Sequence, residues 1–261
     1  MLGSVPEQGL VMNIPSHLYK YRSLRTKKDR QYTSHILTHN EIYFANYTEF
    51  NDPFDCNFHI SAEGNIIAHT TKLRELNPDL SEAELDIRAR GDLQPNNIRK
   101  REKIIHKDIR QINKGVGIFS ISAKRDNLLM WSHYSDCHRG ICLEFKVIDG
   151  KLFGCDLSKV SYQEQYPDLS IYDDLDLEWT KRYLTTKACD WSYEEEWRIL
   201  YRETGCKVFP AKELTGVILG ARISKKDQKL VLEWFSNSIC EVQLYQAHEC
   251  DDRFGLNITP I

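Results

Sequence analysis

Three consecutive glutamates, Glu194, Glu195 and Glu196, sit between two tryptophans in the segment WSYEEEWRIL (191–200). A carboxylate fixed in a cleft can move a proton, or it can stabilise positive charge that develops on a substrate. Arg198 lies two positions beyond Glu196, and a guanidinium can orient a carboxylate through its rigid fork of donors. In a strand, successive side chains point to opposite faces. Tyr193, Glu195, Trp197 and Ile199 then share one side, and Glu194, Glu196 and Arg198 share the other. The second side is either solvated or the wall of a cleft. In a helix, Glu194 and Arg198 would instead form an i,i+4 surface pair.

Three further stretches carry chemistry-bearing residues. MWSHYSDCHRG (130–140) offers aromatic rings for stacking in Trp131 and Tyr134 and a titratable imidazole in His133; its plainer reading is core packing with one satisfied histidine. NDPFD (51–55) places Asn51 and Asp52 before a proline, which suits a capped turn or a polar contact with a ligand. YKYRS (19–23) places Tyr21 and Arg22 where they could meet an anion or simply occupy a sheet edge. His133, Cys137, His138 and Cys142 cluster in sequence, but no CxxC pair or HExxH occurs, so no metal ligand is assigned. The eight cysteines read as reduced thiols.

The elements that must position these residues follow from hydrophobic period and turn signals. Strands are predicted at 18–24, 41–47, 116–124, 140–147, within KVSY (159–162), at 216–220, at EVQLYQA (241–247) and in the last residues. A helical run is predicted from about 66 to 115, a helix opened by Asp126, another through TKRYLTTKAC (180–189) and one over 225–238. Ile98, Ile105, Ile109 and Ile112 fall on one helical stripe. Between Ile98 and Lys114 there are seven Lys/Arg against two Asp/Glu, either a solvated face or a surface for a polyanion. No repeat or Pro/Gly-rich linker breaks the chain, which predicts a single α+β domain over 1–261 with a helical insertion at about 66–115.

Composition narrows the class. Of 261 residues, 41% are hydrophobic and 28% charged, an ordinary globular balance. Lys plus Arg is 35 against Asp plus Glu at 38, so bulk charge does not drive polyanion binding. No apolar run is long enough to cross a bilayer, and the start has no basic-then-apolar leader pattern. A soluble, cytoplasmic protein with no membrane partner is expected.

Taken in order, LYKYRS, YFANYTEFNDPFD, DNLLMWSHYSDCHRGICLEF, VSY and WSYEEEWRIL resemble the bacterial domain-of-unknown-function family 2971, from about residue 17 to 250. The layout also resembles the ADP-ribosyltransferase fold, especially toxins that modify nucleic acid. That resemblance implies mixed and antiparallel central sheets and NAD as a substrate. It implies Glu196 as the catalytic carboxylate, with Glu194 as its competitor, and Arg22 beside Tyr21 on the NAD pyrophosphate. Asn51 and Asp52 would hold a polar part of the cofactor, and Trp131 or Tyr134 would stack on the nicotinamide. His133 would bind a ribose hydroxyl or relay a proton, and Arg198 would orient Glu196. Cleavage of the nicotinamide–ribose bond develops oxocarbenium-like charge, which a fixed carboxylate stabilises. The expectation is an NAD-dependent ADP-ribosyltransferase-like enzyme, a toxin or phage-defence effector. Its acceptor would be nucleic acid or protein, and an antitoxin is a further candidate partner. Two alternatives stand beside it. One is a non-catalytic binding or sensor module of a defence system, in which Glu196 and Arg198 simply pair. The other is a metal-dependent hydrolase or nuclease using Asp52, Asp55, His133 and Glu196.

Overall fold

The computed structural model describes residues 13–173, 176–236 and 242–261. The first twelve residues, Asp174, Leu175 and residues 237–241 lie outside these ranges. With them lie most of the leader reading, the end of the helix predicted to 238 and the start of the strand predicted at 241. Helices are α1 (Lys27–His39), α2 (Ile66–Leu76), α3 (Glu82–Asp92), α4 (Pro95–Ile112), α5 (Leu128–Tyr134), α6 (Leu177–Leu184) and α7 (Lys225–Ser236). They alternate with strands in an α+β arrangement. The chain divides into two compact units, each built from separated stretches: 1–38, 122–156 and 209–261 form one, and 39–121 and 157–208 the other. No helix among the described residues is long and apolar enough to cross a membrane.

The first unit is organised by a mixed sheet in the order Leu256–Pro260, Gln243–Glu249, Leu214–Leu219, Ile141–Lys146, His17–Arg22. Leu214–Leu219 and Gln243–Glu249 run parallel, and the other neighbours run antiparallel. Alternation along His17–Arg22 sends Leu18 into the core at 0% exposure, while Tyr21, on the opposite face, meets Trp131 of α5 edge-on at 5.3 Å. Asn127, not the predicted Asp126, caps α5, its side chain accepting from the Leu129 and Met130 amides. Asparagine's short carboxamide is among the best acceptors for those orphan N–H groups. After α5 the backbone turns through a left-handed run, with φ of 51° at Asp136, 54° at Cys137 and 67° at His138. Gly140 ends this turn where a Cβ would lie 2.1 Å from the Arg22 carbonyl oxygen, so only glycine fits.

The second unit contains the strands Gly117–Ser122 (its last residue excepted), Glu196–Tyr201 and Ser158–Lys159, in that order. Glu41–Phe44 pairs antiparallel with Gly205–Val208, and Ser161–Gln163 pairs parallel with Thr186–Ala188. The predicted helical run at 66–115 resolves into α2, α3 and α4. A capping box on Ser81 starts α3, and Pro95 opens the first turn of α4. Ile105 and Ile109 of α4 pack against a core that includes Tyr47, Phe58, Trp179 and Tyr183. Ile112, predicted on the same stripe, is 76% exposed, because the helix ends there. The helix predicted through residue 189 stops at Leu184. Thr185 and Thr186 turn their hydroxyls back onto the Lys181 and Arg182 carbonyls, which satisfies the last turn and frees Thr186–Ala188 to form a strand.

The left-handed run sets two opposite expectations for stability. Cys137→Gly removes a Cβ from a positive-φ, exposed position, so it should stabilise by about 0.5–1 kcal/mol once glycine's entropy cost is counted. Gly140→Ala forces a Cβ into backbone and should destabilise by more than about 2 kcal/mol. Thermal unfolding of the two variants checks this. A lower Tm for Cys137→Gly would contradict the backbone assignment.

Candidate functional site

The predicted strand at WSYEEEWRIL begins later than its pattern suggests. Residues Cys189–Glu194 form a short 3-10 helix, Glu195 is left-handed at φ 41°, and the strand runs from Glu196 to Tyr201. The left-handed residue reverses the local course of the chain, so Glu194 and Glu196 still turn inward while Glu195 faces out. Glu194 is 3% exposed, Glu196 4% and Arg198 0%.

Arg198 is the hub. Its Nε donates to Glu196 Oε1 at 2.8 Å, and its Nη2 donates to both Asp55 oxygens at 3.0 and 2.7 Å and to Glu196 Oε2 at 3.1 Å. Its Nη1 donates to the Leu184 carbonyl at 2.7 Å and reaches Cys56 Sγ at 3.2 Å. Lys187 is a second buried cation, with Nζ at 2.5 Å from Glu194, 3.0 Å from Glu196 and 3.6 Å from Asp55. The Glu196 amide donates to the Tyr162 hydroxyl at 2.8 Å. Trp191 and Phe50 place their rings over Lys187 and Arg198 at 5.1 and 5.4 Å, a contact that favours cations with little water.

Electrostatics follow from that packing. Burial pushes the Glu196 carboxyl upward more than any other single influence, but Arg198 and Lys187 together overturn it and hold the group well below the usual carboxylate range. Burial likewise pulls Lys187 down, and Glu196, Glu194 and Asp55 raise it above the ordinary lysine value. Arg198 is raised in the same way, chiefly by Glu196 against its burial. Glu196, Lys187 and Arg198 are therefore all shifted toward their charged forms.

The remaining predicted residues fall in several places. Asp52 is buried and caps its own turn by accepting from the Phe54 amide at 2.9 Å, while Asn51 is exposed. That turn aims Asp55 and Cys56 at Arg198. In the first unit, Tyr21 donates to the Lys124 carbonyl at 2.7 Å and Arg22 to Thr33 Oγ1 at 3.3 Å, from opposite faces of one strand. Burial lowers the Arg22 guanidinium, and Asp29 opposes that. Trp131 is 0% exposed. Tyr21 meets its ring edge-on, His138 stacks at 6.2 Å, and its indole N–H donates to the Arg125 carbonyl, so the ring presents no open face for a ligand. His133 is exposed and Tyr134 half-buried. An open pocket of about 310 Å³ in this unit is lined by Lys124, Asp126, Asn127, Arg253 and Phe254 among others, and Trp131 is not one of them.

Sequence reasoning missed Lys187, which lay inside a stretch read as helix and showed no pairing signal there. It also missed Glu144 of the first unit. That acid is 7% exposed and accepts from Thr215 Oγ1 at 3.0 Å, with Arg125 4.0 Å away. Burial and then Glu144 push the neighbouring Tyr19 phenol up to about 12. The seven cysteines among the described residues are free thiols. Among the described residues no group of three or more His, Cys, Asp or Glu side chains is placed to hold a metal ion.

Residues 130–199 match the model of the family described as "Protein of unknown function (DUF2971)". The match bears out the family resemblance over that part of the chain, which carries Trp131, Glu144, Lys187, Glu194, Glu196 and Arg198. No curated protein and no solved structure matches the chain.

Removing one member of the network leaves buried charges unpaired. Arg198→Met should cost about 3–5 kcal/mol. Arg198→Lys should recover little of that, because an ammonium cannot reproduce the fork to Asp55 and Glu196. Urea unfolding of both variants checks this, and a loss below about 1 kcal/mol for Arg198→Met would contradict the structural role.

Proposed function

We propose that this chain is a non-catalytic binding module and that its YEEEWR segment is a structural ion network. The observation that carries this reading is the state of Glu196: a carboxylate 4% exposed, with one oxygen on Arg198 and the other shared by Lys187 and Arg198. A carboxylate that stabilises oxocarbenium-like charge must lie against the substrate and must not be neutralised beforehand. Glu196 is already surrounded by two cations, which would repel positive charge developing nearby. The same geometry disfavours the hydrolase alternative, since Asp55 and Glu196 spend their oxygens on Arg198 rather than facing a metal.

The competing proposal is an ADP-ribosyltransferase-like fold that cleaves NAD at Glu196 and transfers the ADP-ribosyl group to nucleic acid or protein. Incubation with NAD labelled in its adenosine half and a bacterial lysate separates the two. The module reading expects no nicotinamide release and no labelled macromolecule. Release of nicotinamide that is lost in a folded Glu196→Gln variant would establish the transferase instead, and loss only in Glu194→Gln would move the catalytic role to the neighbouring acid.

A further inference from the structure

The most unusual surface of the second unit is the outward side of α4. Physical sorting along this helix is sharp. Its inward residues are spent on the protein: Glu102 accepts from the Ala62 amide at 3.1 Å, and Ile105 and Ile109 pack on the core. His106 lies 4.5 Å from the Phe58 ring, and Arg110 donates to Asn57 at 3.2 Å while covering the Tyr47 ring. The outward residues Arg99, Lys100, Lys103 and Lys107 are all exposed, with Lys114 just beyond the helix and Asp108 the one acid among them. Arg99, Lys103 and Lys107 recur at i,i+4, so they form one ridge with a rise of about 6 Å between neighbours. Among the described residues no ion pair neutralises that ridge. The chain as a whole carries a formal charge of −3, so this is a local excess rather than a bulk property.

We propose that the outward face of α4 docks the phosphate backbone of a nucleic acid. Closely spaced, solvated cations on one rigid helix gain affinity by releasing the counterions condensed on a polyphosphate. An anionic membrane surface is the poorer fit. Interfacial helices bury an apolar face in lipid, whereas the apolar side of α4 is already packed on the protein, and only Ile104 and Ile112 are exposed, at 56% and 76%. Contacts of this kind to phosphate position a strand and carry no sequence information directly. This deepens the binding-module reading by naming its partner, but it does not depend on the role of Glu196, so either can fail alone.

The test is fluorescence anisotropy of the full chain with a labelled 20-base-pair DNA duplex and a labelled single-stranded RNA over a range of salt concentrations. A variant with Arg99, Lys100, Lys103 and Lys107 all changed to Gln keeps helix propensity, and circular dichroism checks its fold. A control changes the exposed Lys212, Lys225, Lys226 and Lys229 of the first unit to Gln, the same loss of charge elsewhere. The proposal expects salt-sensitive binding to at least one probe, weakened at least about tenfold by the α4 variant, with the log–log salt slope reduced by about 3–4. The control should bind like the parent. Absence of binding to both probes, equal weakening by the control, or binding only to vesicles of anionic lipid would each overturn it.

Discussion

Burying a guanidinium completely costs several kcal/mol unless every N–H finds an acceptor and the charge finds partners. Arg198, at 0% exposure, meets both conditions, because its donors reach Asp55, Glu196, the Leu184 carbonyl and Cys56. Much of the second unit follows from that requirement. Asp55 arrives from the NDPFD turn, Leu184 from the end of α6, and Glu196 from the first position of its own strand. Three separated pieces of chain must therefore be in register before this charge can be buried. Such a network adds little net stability over an apolar core of equal volume, but breaking it is expensive. It acts as a specifier of one arrangement.

Lys187 completes the charge balance and changes what the acids can do. With Arg198 first and Lys187 second acting on it, Glu196 is held low despite its burial. A group in that state neither donates a proton near neutral pH nor lies bare against a substrate. On the binding-module reading proposed above, function would be carried by surfaces rather than by this interior, and the exposed cations of α4 form such a surface.

Much of this was legible in sequence. Period-two alternation placed Glu196 and Arg198 together, Glu194 joined them through a 3-10 helix and a left-handed Glu195 rather than through a continued strand, and turn chemistry found Asp52 as a cap. The strands around Tyr21, Ile141 and Val217 and the helical run from 66 to 115 followed from pattern alone. What could not be read was long-range. Alternation is indifferent to whether a polar face meets water or another polar element, so burial of the three-residue set was invisible. Lys187 was hidden because the threonines that end α6 do so through side-chain bonds to the preceding turn, a local competition that helix period does not register. Trp131 looked available for stacking because one sequence does not reveal that Tyr21 and His138 cover its ring.

Stability as a function of pH, compared between the parent and Glu196→Gln, tests the ion network most directly. Glu196 has a folded pKa depressed below its ordinary value of 4.5, so its contribution is present above that value and is lost as pH falls through the folded pKa. The parent should be clearly the more stable protein at pH 7, and the gap in unfolding free energy should shrink steadily as the solution is acidified below about 4.5. Equal stability of the two proteins at pH 7, with parallel curves into acid, would contradict the network and return Glu196 to a free carboxylate.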